Sequence, residues 1–132
     1  FSIATVAGTD DCAFGFRKVE ALQANVDDYD EMAALNVISG NITIETILNA
    51  AGTVSTDTTA NWADGETHTL RIDVSSAGVV TYKIDGSAPA TTAAFTFDSG
   101  EVVTPFFFQL QANGAQTGAL VLQEVKWGLV GK

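Results

Sequence analysis

The stretch that most constrains this chain is residues 62–86, WADGETHTLRIDVSSAGVVTYKIDG. From His68 onward, Leu70, Ile72 and Val74 fall on one side and Thr69, Arg71 and Asp73 on the other. A period of two describes a strand with one buried face, because successive Cβ atoms leave a pleated backbone in opposite directions. Ser75-Ser76-Ala77-Gly78 then reverses the chain. Val80, Tyr82 and Ile84 repeat the alternation until Asp85-Gly86 supplies a second tight turn. The expectation is a β-hairpin. Upstream, Trp62 stands before Ala63-Asp64-Gly65, a turn in which glycine takes the positive φ that side chains resist.

The rest of the chain reads as further short strands. Residues 1–7 alternate weakly and open the domain, and 8–11 form a turn. Residues 12–24 form a longer strand, with Phe14 and Phe16 on one face and then Val19 and Ala21 on the other. The phase slips near Arg17-Lys18, which predicts a bulge there. Residues 26–36, VDDYDEMAALN, hold the only helical promise, with a short acidic loop as the open alternative. Strands are expected over 34–38 and 41–48, and surface loops over 49–60 and 87–92. A strand over 93–98 puts Phe95 and Phe97 on one face. Residues 102–112, VVTPFFFQLQA, are apolar on both faces around Phe106, Phe107 and Phe108. That implies a central strand covered on both sides, or one face used for contact with another chain. After a loop at 113–118, a closing strand over 119–129 aligns Val121, Val125, Trp127 and Leu129. About ten short strands, with turns rich in Gly, Asn and Asp, argue for one all-β domain over 1–132, an antiparallel two-sheet sandwich.

Composition narrows the function classes. At 132 residues and 46% apolar, the chain can bury a full core, about two-thirds of its unfolded surface. No apolar run is long enough to suggest a membrane span. Ten Asp and six Glu against six Lys and Arg give a net charge of −10. Phosphate contacts need clustered positive charge, so nucleic-acid binding is not expected. The acidity serves solubility, or a cation or basic partner. The lone Cys12 forms no internal disulfide and reads as a small core residue. A start at Phe1 is expected of a chain that lost a leader or belongs to something longer.

Catalytic chemistry finds little to work with. Glycoside hydrolysis needs two carboxylates facing a groove, about 5–10 Å apart, and no strand carries alternate acidic residues. Asp73 and Glu124 each lack an acidic neighbour on their strand. His68 is the sole histidine, so any serine or cysteine triad depends on it. Its parity with Leu70 and Ile72 marks it as structural, at the sheet edge. Asp27, Asp28, Asp30 and Glu31 crowd into five positions, with Asp10-Asp11 as a second acidic pair. Calcium takes six to eight oxygens, from carboxylates and loop carbonyls, which makes the first group a candidate metal loop without EF-hand spacing. A glycan would stack on an exposed aromatic ring. Trp62, Tyr29 and Tyr82 are candidates by residue type; Tyr82 lies on the apolar face of its strand, and Tyr29 is the one expected to be exposed. Asn41-Ile42-Thr43 fits a glycosylation acceptor.

The run Trp62, x, Asp64-Gly65, x, x, His68, followed by a strand, a glycine turn, a second strand and Asp85-Gly86, resembles laminin-G-like and related concanavalin-A-like domains. The resemblance implies a jelly-roll sandwich, in which this segment forms two neighbouring antiparallel strands and Trp62 fastens the hairpin to the core. It also raises the expectation of calcium on an acidic loop. FTFDSGEVVTPFFFQLQ and the closing LVLQEVKWG are similar in style to sandwich proteins of tailed bacteriophages. That resemblance implies a non-enzymatic virion protein, a capsid decoration or head-fibre domain. Capsid or other virion proteins and copies of itself would be its partners, with Phe107 at a contact face. The alternative it leaves open is an extracellular carbohydrate-binding module, calcium-dependent or not.

Overall fold

A computed structural model describes residues 1–111, 119–126 and 128. The chain is all-β, with antiparallel strands in several sheets. In chain order they are β1 (Ser2–Ile3), β2 (Thr9–Lys18), β3 (Met32–Ile38), β4 (Asn41–Ile47), β5 (Val54–Asn61), β6 (Leu70–Val74), β7 (Val80–Ile84), β8 (Val103–Gln111) and β9 (Leu120–Val121). Five of them form one sheet in the order β5-β4-β3-β2-β8, while β6-β7 and β1-β9 form two-stranded sheets.

The hairpin forms in the register that its alternation dictates: Leu70 pairs with Ile84, Ile72 with Tyr82 and Val74 with Val80. Its turn closes through the Ser75 N–H to the Val79 carbonyl at 2.9 Å, with Gly78 at φ 80°. A three-residue loop ending in a left-handed residue is a favoured hairpin connection. Gly78 is required twice over, because a Cβ there would lie 2.7 Å from the Phe97 carbonyl oxygen. Asp85 and Gly86 both have positive φ, 51° and 82°, and turn the chain so that Ile84 and Ser87 pair.

The apolar face of the hairpin lies over one face of the five-stranded sheet. Between them sits the main core, where Trp62, Val80, Tyr82, Phe95 and Phe97 meet Leu35, Ile42 and Ile44. Each large aliphatic side chain so buried stabilises the fold by about 1.5–3 kcal/mol. On the opposite sheet face, Val26 and Tyr29 cover Ala13, Met32, Ala34, Ile47 and Phe106 in a second, smaller core. Two-sided burial makes β3 nearly continuous in apolar residues and explains why 26–36 mimics a helix. Only Val26–Asp28 forms a helical turn, of the tight 3-10 kind.

Other expectations are corrected. The opening strand shrinks to Ser2–Ile3 and is followed by a 3-10 turn at Val6–Gly8. The irregularity in β2 falls between Thr9 and Cys12 rather than at Arg17-Lys18. There the Asn36 side-chain carbonyl accepts the Cys12 N–H at 2.8 Å, in place of a strand partner. The slip at Arg17-Lys18 marks the end of the strand, beyond which Val19 and Ala21 are exposed. Part of the expected loop at 49–60 is strand β5, a sheet edge that buries only Thr58 and so shows no apolar alternation. Residues 93–98 make only one bridge, Val79 to Thr96, although Phe95 and Phe97 enter the core together. Strand β8 ends the sheet order instead of occupying its centre. Its apolar faces belong to different cores. The closing strand is limited to β9, and the alignment with Trp127 and Leu129 lies outside the described residues.

Candidate functional site

The acidic segment folds outward from the second core and does not gather its carboxylates. Asp27 accepts the Thr53 hydroxyl at 2.5 Å, and Asp28 is exposed. Asp30 pairs with Lys18 Nζ at 2.8 Å, and the same ammonium reaches Glu101 at 3.0 Å. Glu31 is fully buried: Oε2 accepts the Asp98 N–H at 3.3 Å, while Oε1 has no partner among the described residues. Burial pushes its carboxyl above the usual range, against the opposing bond from Asp98. Their partners lie on separate segments: Thr53 for Asp27, Lys18 for Asp30 and Asp98 for Glu31. Among the described residues, no three His, Cys, Asp or Glu side chains converge on a point where a metal could sit. Asp27, Asp28, Asp30 and Glu31 thus do not gather around one point in this arrangement.

Tyr29, expected at the surface, is 2% exposed. Its ring packs 5.8 Å from that of Phe106 and under the Arg17 guanidinium, 4.8 Å from the ring centroid. It anchors the acidic segment to the sheet and offers no face to a sugar. Arg17 is itself buried, and its guanidinium donates to the Lys18 and Glu20 carbonyls.

Sequence reasoning missed the polar group at the other end of this sheet face. The Asn36 amide nitrogen donates to Asp11 at 2.7 Å and to Glu45 at 2.7 Å. Burial raises both carboxyls above their ordinary values, with the bonds from Asn36 opposing the rise. The available signal was a polar residue within each apolar strand, Asn36 in MAALNVI on β3 and Glu45 in NITIETI on β4. Such residues are tolerated inside a sheet only when they find one another.

A row of touching rings crosses the molecule. His68 meets Trp62 edge-on at 4.6 Å, Trp62 meets Phe1 at 4.4 Å, Phe1 meets Phe14 at 4.4 Å, and Phe14 stacks on Phe107 at 4.6 Å. The Trp62 end is buried, as the hairpin pattern implied, and its indole N–H donates to the Glu66 carbonyl. The other end opens to solvent at Phe107, 40% exposed. Where β2 ends and β8 begins, Val19 and Val102 are joined through their backbones and are 58% and 69% exposed, and Leu22, nearby in sequence, is 82% exposed. Cys12 is buried in the main core, where burial pushes its thiol up to about 12.

No protein-family model, no curated protein and no solved structure matches this chain. Among the described residues, no helix is long and apolar enough to cross a membrane.

Proposed function

We propose that this chain is a non-enzymatic structural domain that works through protein–protein contacts, as a capsid decoration or head-fibre component of a bacteriophage particle. The observation that carries the contact reading is Phe107, an aromatic ring 40% exposed at the end of a packed aromatic row. Exposed aromatic and aliphatic side chains on a rigid sheet lose little conformational freedom on binding, which makes them effective contact residues. The second support is the sequence style of residues 95–111 and 120–128 described above. We also read the hairpin layer and the five-stranded layer as parts of a concanavalin-A-like jelly roll, a reading that rests on the 62–86 resemblance and the core between the layers.

Mass spectrometry of density-purified virus particles from the source, with copy numbers, tests the assignment. Tens to hundreds of copies per particle are expected of a decoration protein. Absence from particles would overturn the virion reading.

A further inference from the structure

Glu31 stands just before β3, and its carbonyl accepts the Lys18 N–H at 2.9 Å. Its side chain reaches the turn at 98–101, where Oε2 accepts the Asp98 N–H at 3.3 Å. The residue is fully buried, and Oε1 has no partner among the described residues. An enclosed carboxyl with one oxygen unpaired carries a modest cost while neutral and a far larger one once ionised.

The charged groups that face it add to that cost. The 98–101 turn brings the carboxylates of Asp98 and Glu101, and β2 brings the Lys18 ammonium. That ammonium makes its short contacts elsewhere, 2.8 Å to Asp30 and 3.0 Å to Glu101. The hairpin turn over residues 75–78, which bonds to Phe97, carries no charge. Burial is the largest influence and holds the Glu31 carboxyl above its ordinary 4.5. The two like charges act with it, and the Asp98 N–H and Lys18 act against it.

The turn is the element that can respond. Its ends are fixed, by Phe97 in the main core and by the backbone bond from Val19 to Val102. Between them Ser99 and Gly100 are exposed, and the Glu101 N–H closes the turn onto the Asp98 carbonyl at 3.1 Å. The Glu31 carboxyl ties the Asp98 backbone down, and the Asp98 side chain accepts from Asn49. A cavity of about 140 Å³ separates 97–101 from residues 74–78, which leaves the turn room to move.

We propose that Glu31 is a proton-operated clasp: neutral, it stays buried and holds the 98–101 turn; ionised, it lets the turn lift and takes up water. One proton leaves the carboxyl for solvent as the turn opens, and no covalent bond of the backbone changes. The closed turn holds that proton more tightly than the open one. Its advantage is therefore fully present below about 4.5 and is lost as pH rises through the raised value. Between those values the open fraction grows by up to about tenfold per pH unit.

The test follows the Glu31 carboxyl carbon and the Asp98 amide of the isotope-labelled chain from about pH 4 to about pH 8. The carboxyl is expected to titrate above 4.5. Hydrogen-exchange protection at Asp98, corrected for the intrinsic rate at each pH, is expected to fall at least about threefold across that titration. Glu31→Gln keeps an acceptor and removes the proton, so its Asp98 protection should not change with pH. Asp98→Asn, at an exposed position, removes one like charge and should move the carboxyl midpoint down. A midpoint at or below 4.5, protection that ignores the titration, or the same pH dependence in Glu31→Gln would each overturn the proposal. The unaltered chain decides the matter if Glu31→Gln does not fold.

Discussion

Both ring nitrogens of His68 face carboxylates, Nδ1 at 2.7 Å from Asp85 and Nε2 at 3.2 Å from Glu66. A neutral imidazole has one N–H and can satisfy only one of them; the imidazolium satisfies both. Burial pulls the ring's pKa down, but the bonds to Asp85 and Glu66 outweigh it and hold the value above the ordinary one. A raised folded-state pKa adds stability that is fully present below about 6.5 and lost as pH rises through the folded value. As the sole histidine, His68 gives a single imidazole signal in a proton titration. Asp85→Asn is expected to lower its midpoint and flatten the stability profile above neutrality; an unchanged midpoint would refute the clamp. Glu45 makes the complementary case. Its raised pKa also favours the folded state at low pH, with the benefit lost as pH climbs through the raised value. Glu45→Gln keeps an acceptor for Asn36 and removes the buried charge. It should raise the unfolding midpoint at pH 7 and make little difference near pH 4, as denaturant titrations at the two pH values would show.

At the scale of elements, the tightest joint is between β2 and β3. A Cβ at Gly15 would collide with the Ala33 carbonyl oxygen and lie 2.7 Å from the Ala34 Cα, both backbone atoms that side-chain rotation cannot move. Gly15→Ala is therefore expected to cost about 3 kcal/mol, measured by chemical denaturation, where an exposed strand glycine would tolerate the change. The sequence shows Gly15 among alternating residues but cannot show which strand lies above it. The hairpin was legible because each residue's partner is close in the chain and one face is wet. Strand β5 was not, because an edge strand of Ser, Thr and Asp has the composition of a loop and is fixed by its pairing with β4. The ends of β2 were misplaced for a related reason: its register is set by Asn36, far away in sequence.

For the whole molecule, charge and contact surface act against each other. A net charge of −10 repels other copies, and salt screens that repulsion within about 10 Å at 0.1 M. Self-association is expected to strengthen with added salt in sedimentation runs. Phe107→Asp should give a folded monomer if that ring lies in the interface; an unchanged oligomer would place the contact elsewhere. The candidate sites show where sequence reasoning stops. Cys12 was legible as a small core residue because no basic cluster stands near it in the sequence, and Trp62 only through the resemblance carried by residues 62–86. Tyr29 was misjudged as exposed, since the backbone carried its ring under Arg17 while Asp30 beside it pairs with Lys18. The Asp11-Asn36-Glu45 group joins residues from three different strands. By itself the sequence determined an all-β chain, its principal hairpin and the turns that close it, because these depend on alternation and on local backbone sterics. Only the tertiary structure decided strand order, the depth of each polar group and which surfaces remain open, because those depend on pairings that no local pattern encodes.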